Sequence, residues 1–244
     1  AGNPDKAEQE GAAWLDAHPD SPTARHLAPA LMEAPPPERA SGPYIRATFD
    51  AFAESFDDRL GTLDYAGPEL VAGLLRAACP DGVDALLDLG CGTGLVGPVV
   101  RPLAQRLEGL DLSPEMLARA AERSVYDALH EADAEAFLTA DHDAWDGVIA
   151  ADVLIYLGAL EPLAAAVAGA LRADGLFIAT TEEAAAESWM LQPSGRYQHS
   201  RRYLMRVLEA AGLIVERLET VVLRYEGDRP VDALAVVARR PRDA

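Results

Sequence analysis

Residues 86–97 read LLDLGCGTGLVG, an apolar run that ends in a glycine-rich turn. Two nucleotide-binding patterns overlap in it. Counted from Gly90, the turn is G-x-G-x-G directly after a strand. Counted from Gly92, it is G-x-G-x-x-G through Gly94 and Gly97. The second spacing suits a dinucleotide whose pyrophosphate sits on the next helix N-terminus. The first suits a compact adenosine-containing ligand without a pyrophosphate.

The surrounding sequence fixes the architecture in which the turn must work. From Pro68 onward strands and helices alternate. A helix runs from Pro68 to about Cys79, and ALLDLG is a buried strand. GLVGPVVRPLAQRL reads as the following helix, with LEGLDL as the second strand. SPEMLARAAER is a helix with Ser113 as its N-cap and Pro114 at its first position. A strand near DALHEA, a helix near AEAFLTA and a strand DGVIAA follow. EPLAAAVAGALRAD reads as a helix stopping at Gly175, then the strand LFIATT. SRRYLMRVLEAAG is a helix capped by Ser200 and ended by Gly212. Repeated alternation predicts an α/β fold, a doubly wound, mostly parallel seven-stranded sheet. The last two strands, LIVERLETVVLRYE and ALAVVARR, are separated by too few residues for a parallel crossover, so they form an antiparallel hairpin.

Upstream, residues 1–40 read as a small helical element and linker, punctuated by HPDSP and APPPER. Residues 41–65 hold YIRATFDAFAESFDDRL, where Phe49, Phe52 and Phe56 form one aromatic stripe at helical spacing. Spacing alone fits a helix packed on the core, and the functional alternative is a lid over a ligand. Residues 66–244 form the main domain.

Composition narrows the partners. A net charge of −19, with Lys6 the only lysine, argues against a nucleic-acid grip or an anionic membrane surface. Cys79 and Cys91 are the only cysteines, without C-x-x-C spacing, so neither a disulfide scaffold nor a structural zinc site is expected. His18, His26, His130 and His142 lack metal-ligand spacing, and no metal is expected. With no long apolar run and the polar start AGNPDKAEQE, the expected compartment is the cytoplasm.

Four features separate the two readings of the turn. The apolar run stops at Gly90 rather than Gly92. Asp88 lies inside the buried strand and needs a partner, which a cationic or N–H-bearing ligand head could supply. Asp133 follows the third strand, where a carboxylate could receive an adenine amino group. The terminal antiparallel pair is foreign to the dinucleotide fold. Asp111, at the end of the second strand, suits ribose hydroxyls in either reading.

On LLDLGCGTG, GLDLSPEML, EAD and DGVIAADVLIYL, residues 42–240 resemble a class I S-adenosylmethionine-dependent methyltransferase of Rossmann-like fold. Trp14, Pro19 and Ala24 are also similar to part of a tetratricopeptide repeat, and the whole resembles bacterial methyltransferases fused to such repeats. The resemblance implies that Gly90, Cys91 and Gly92 pass under the methionine of the cofactor, with Asp88 near its amino end. It implies that Asp111 holds the ribose, Leu112 and Met116 line the adenine, and Asp133 and Ala134 meet its edge. The backbone at Ala150 and Ala151 would face the methionine, and Tyr44 would cover the site. Cys91 is then a small loop residue rather than a nucleophile.

The expected reaction is in-line methyl transfer to a small molecule through an oxygen nucleophile. Alignment of the reacting atoms accounts for about 7–11 kcal/mol of such a barrier. His199 and Tyr156 are the candidate catalytic residues, with His199 as general base. Arg196, Tyr197 and Tyr203 are the candidate substrate contacts, Arg196 for an acidic or phosphorylated group. The alternatives are an NAD(P)-dependent oxidoreductase using Gly92–Gly97 and a non-catalytic cofactor-binding or interaction protein.

Overall fold

The structure, a computed structural model, describes residues 4–32 and 34–242; the expected outer segments 1–40 and 66–244 therefore begin and end partly outside the described residues. Helices α1 (Pro4–Ala17) and α2 (Pro22–Leu27) form an N-terminal pair, followed by α3 (Gly42–Phe52), α4 (Phe56–Gly61) and α5 (Gly67–Ala78). The main domain continues β1 (Val83–Leu89), α6 (Gly97–Val100), β2 (Ala104–Asp111), α7 (Pro114–Glu122), β3 (Ala128–Glu131), α8 (Ala134–Ala140) and β4 (Trp145–Ala150). It closes with α9 (Glu161–Ala170), β5 (Leu171–Glu183), β6 (Trp189–Leu191), β7 (Tyr197–His199), α10 (Arg201–Ala210), β8 (Ile214–Glu226) and β9 (Arg229–Arg239).

Seven strands make the expected sheet in the order β3-β2-β1-β4-β5-β9-β8. The pairs from β3 to β5 are parallel, and β9 runs antiparallel to both β5 and β8. Because strand side chains alternate between faces, β1 feeds two cores. Leu87 and Leu89 pack with Phe177, Leu163 and Leu204 under α9 and α10, whereas Leu86 packs with Val71, Leu75 and Ile178 under α5. Strand order reverses between β1 and β4, which opens a crevice at their carboxyl ends.

Several local expectations change. The segment 95–108 is not one long helix: Pro98 starts α6, a single turn, and Pro102 lacks the N–H that would continue it, so a 3-10 turn follows. That frees residues from Ala104 for an earlier start to β2. Helix α9 stops at Ala170 rather than near Gly175, and the carbonyls of Gly169 and Ala170 accept the N–H groups of Asp143 and Ala144 at the start of β4. The connection 189–199 forms the hairpin β6–β7, whose second strand pairs in parallel with the end of β5 at Glu182 and Glu183. The aromatic stripe is split, since α3 ends at Phe52, and Phe52 lies exposed beneath the Arg59 guanidinium.

The N-terminal pair is docked, not dangling. The buried His26 ring lies 4.2 Å from the Tyr44 ring at a tilt of 30°, and its Nε2 lies 2.8 Å from the Gly195 carbonyl in the β6–β7 turn. The linker is stitched to the segment after β4 by Ala40 N–H to the Tyr156 carbonyl and Gly158 N–H to the Glu38 carbonyl. No helix among the described residues is long and apolar enough to cross a membrane.

Candidate active site

The turn after β1 lies in the crevice and is held open by its own hydrogen bonds. Cys91 N–H donates to the Leu110 carbonyl at 2.9 Å, and Gly92 N–H donates to Asp111 Oδ2 at 2.9 Å. Gly90 and Gly92 sit at φ +65° and +55°, a region side chains disfavour. A Cβ on Gly90 would lie 2.5 Å from Val153 Cγ2, whereas one on Gly92 would meet only Phe56, at 3.9 Å. Glycine at 92 therefore keeps ligand space clear, while glycine at 90 lets the turn approach the β4 loop.

Gly94 and Gly97 serve another purpose. Cβ atoms on them would strike the Tyr126 ring at 2.9 and 2.8 Å, as would one on Gly109 at 3.2 Å. Tyr126 thus occupies the space beneath the turn, and its hydroxyl donates to Asp88 Oδ2 at 2.6 Å. Asp88 has the partner its burial demands, and it comes from the protein. Burial still pushes its carboxyl up to about 7 against the lowering effect of Tyr126, with the nearby Asp111 raising it further. The G-x-G-x-x-G spacing is accounted for by a tyrosine, without a pyrophosphate.

A cavity opens over this turn, with a volume of about 1300 Å³ including its mouth. Asp88, Gly90, Cys91, Gly92, Asp111, Leu112, Asp133, Ala134, Ala151, Tyr156 and Arg196 all line it, so most of the sequence-derived set converges. Asp111 accepts Gly92 N–H and Ser113 N–H on its two oxygens and is raised by burial. With two of about four lone-pair positions used, it can still accept from a ligand. Asp133 caps α8 through Ala136 N–H and pairs with Arg39, a lining residue the sequence reading passed over. Burial raises the Cys91 thiol well above its usual range, which leaves no thiolate nucleophile.

Other expected residues stand elsewhere. Tyr44 is buried against His26, and Ile45 and Phe49 of the same helix form the roof instead. Met116 is fully buried in the core behind the wall, as is the side chain of Ala150, whose backbone ends β4 beside the crevice. Tyr197 donates its hydroxyl to the Pro37 carbonyl, and the Tyr203 hydroxyl joins Leu160 N–H to Glu161. These two tyrosines brace the linker and α9, not a substrate.

His199 is also turned away from the cavity. It is fully buried, with Nδ1 2.6 Å from Thr181 Oγ1 and Nε2 3.1 Å from the Gly158 carbonyl, and burial lowers its imidazole to about 4. Both ring nitrogens are committed to neutral hydrogen bonds that fasten β7 to β5 and to the loop after β4. Replacing His199 by alanine should cost about 1–3 kcal/mol through the polar groups left unpaired, measured by denaturant unfolding. Cofactor affinity should stay within about twofold. A stably folded variant with methyl transfer abolished would return His199 to the chemistry.

The far end of the cavity holds groups no motif announced. Asp152 sits in the left-handed region at φ +61°, its N–H held by Thr180 Oγ1 at 2.9 Å. Its Oδ2 pairs with Arg224 at 3.4 Å. Arg224, 2% exposed, also binds Glu182 and Glu226, and Arg196 bridges the same two glutamates. Tyr65 and Tyr156 complete this end, both phenols pushed up by burial and so held protonated. Among the described residues no three His, Cys, Asp or Glu side chains gather to hold a metal ion.

Residues 87–179, from β1 through most of β5, match the family model described as a methyltransferase domain. Solved structures share the fold. The 1,6-didemethyltoxoflavin-N1-methyltransferase of Burkholderia thailandensis is 21% identical with a TM-score of 0.66, covering 85% of this chain and 93% of its own. The N-methyltransferase NodS of Bradyrhizobium japonicum is 20% identical with a TM-score of 0.56, covering 71% and 86%. The [4+2]-cyclase SpnF, 19% identical with a TM-score of 0.66, covers 84% of this chain and 98% of its own. No curated protein matches the chain.

The sheet order and the glycine turn are those of the fold that these structures share. The matched span supports a methyltransferase as the enzyme class.

Proposed function

We propose that the protein methylates an oxygen atom of a small organic acceptor bound beneath α3 and α4. The observation that carries this reading is the continuity of one cavity, from the glycine turn to an apolar chamber roofed by Ile45, Phe49 and Phe56. Phe49 meets Tyr156 and Phe56 edge-on at 5.3 and 6.1 Å, which suits a flat or aliphatic acceptor body. The excess of negative charge gives polyanionic acceptors no field to follow.

The residues present fit the cofactor. Gly90, Cys91 and Gly92 would lie under its methionine part and Asp88 near its amino group. Asp111 would accept from the ribose hydroxyls, and Leu112, Ala134 and Asp133 would hold the adenine. When bound, S-adenosylmethionine supplies a methyl group on a sulfonium whose leaving group is a neutral thioether. The chain's own work is alignment and exclusion of water. Roof and cradle are latched by Ser113 Oγ to Asp50 at 2.5 Å and by Arg123 to Asp57. Tyr156, protonated and beside Arg196, would orient the acceptor by hydrogen bonding. The N-terminal helix pair, resembling a fragment of a tetratricopeptide repeat, serves in this reading as a cap that braces the roof through His26 and Tyr44.

The test is to incubate the full chain with methyl-tritiated S-adenosylmethionine and a bacterial extract, then to separate products by mass. Label should collect in the low-mass, organic-extractable fraction. Label confined to protein or nucleic acid would refute a small-molecule acceptor.

A further inference from the structure

We infer that Asp152 is the proton acceptor of the transfer, and that the acceptor is a hydroxyl compound of weak acidity on an apolar, phenol-like body. The inference rests on the methyl-transfer reading above and names the group that does the acid–base work at that site.

Three observations place it there. Asp152 lines the cavity at the carboxyl end of β4, immediately after Ala151 and before Val153, which packs over Gly90. Its Oδ1 is buried with no hydrogen-bond partner among the described residues, while Oδ2 faces Arg224. A buried carboxylate oxygen left without a donor is costly, so its persistence calls for a partner that arrives with the ligand. Its backbone lies in the left-handed region, which aspartate tolerates better than most residues, and is pinned there by Thr180.

The groups around it suit the role. Arg224 from β8 and Arg196 from the β6–β7 turn favour the carboxylate, while Glu182 on β5 opposes ionisation. Burial dominates and carries the carboxyl up to about 6, within reach of neutral pH. Tyr65 and Tyr156 stay protonated and compete poorly for the proton. Glu226, beyond Arg224 and Arg196, is held ionised by both. In the step, the acceptor oxygen forms a bond to the methyl carbon as the carbon–sulfur bond breaks, its electron pair remaining on sulfur. The hydroxyl proton passes to Asp152 and later to solvent.

Asp152→Asn is the informative variant, because asparagine is isosteric and accepts positive φ. Initial rates are measured with methyl-tritiated S-adenosylmethionine on 4-methylphenol, which is protonated at pH 7.5, and on 4-nitrophenol, which is largely ionised. Thermal melting and S-adenosylhomocysteine calorimetry run alongside. A general base contributes about 10²–10⁴-fold, so the variant should lose that factor on 4-methylphenol beyond any loss on 4-nitrophenol. Equal losses on both, or none on either, overturn the assignment. Wild-type protein that binds S-adenosylhomocysteine yet methylates neither phenol also overturns it, along with the acceptor class, while leaving the methyltransferase reading intact. Failure to bind S-adenosylhomocysteine would strike at that reading instead.

Discussion

Replacing Asp111 by alanine is expected to weaken S-adenosylhomocysteine binding by at least about 10²-fold, read by calorimetry on the full chain. The carboxylate has two duties. It accepts the Gly92 and Ser113 N–H groups at 2.9 Å each, which ties the glycine turn to the start of α7. Its free lone pairs would take the ribose hydroxyls. Hydrogen bonds to a charged group contribute about 1.5–3 kcal/mol each, and about 1.4 kcal/mol is a factor of ten in affinity. Loss of the ligand contacts alone then reaches about 10²-fold, before any cost of a loosened turn. Asp111→Asn keeps one acceptor oxygen and should fall between wild type and alanine. A weakening of less than tenfold in the alanine variant would mean that Asp111 organises the turn without touching the ligand.

The contrast between Asp111 and Asp152 explains what sequence reading could reach. Asp111 sits at the end of an apolar strand, a fixed count from the turn, so local pattern and topology suffice to find it. The fold class was legible for the same reason, since helix and strand periods set the α/β alternation and the spacing of the last two strands set their antiparallel pairing. Asp152 belongs to a constellation assembled from β4, β5, the β6–β7 turn and β8. No spacing along the chain encodes that meeting. Tyr44 and His199 failed for a related reason. Each lies one residue or one strand face from the cavity, and facing is decided by packing against distant elements, here His26 and Gly158. The short hairpin 189–199 was hidden because its strands are three residues each and carry no alternation strong enough to see. Arg224 carried no such signal, because alternation would put it on the face opposite Leu223, and the irregular register between Val222 and Arg224 is what buries both.

Arg224→Met should therefore be the most damaging single change to stability outside the hydrophobic core, about 3–5 kcal/mol, because it strands buried anions. Glu182, whose side chain is 6% exposed, loses its principal counter-charge and keeps Arg196 at 3.5 Å and the Gln198 amide at 3.3 Å. Asp152 loses the one cation that pairs with it directly among the described residues. Methionine fills much of the volume, so the loss reports charge rather than a cavity. Urea unfolding at pH 7 should move the midpoint down with little change in slope. Adding Glu182→Gln should restore at least half of the loss, since it removes the stranded charge along with its partner. The same pair of variants separates stability from chemistry. Without Arg224 the Asp152 carboxyl holds its proton more tightly, because the cation that favoured ionisation is gone. Methyl transfer to 4-methylphenol should then need a higher pH even in the stability-restored double variant. If Arg224→Met unfolds within about 1 kcal/mol of wild type, the cluster is solvated in solution and the buried end of the cavity is wetter than described.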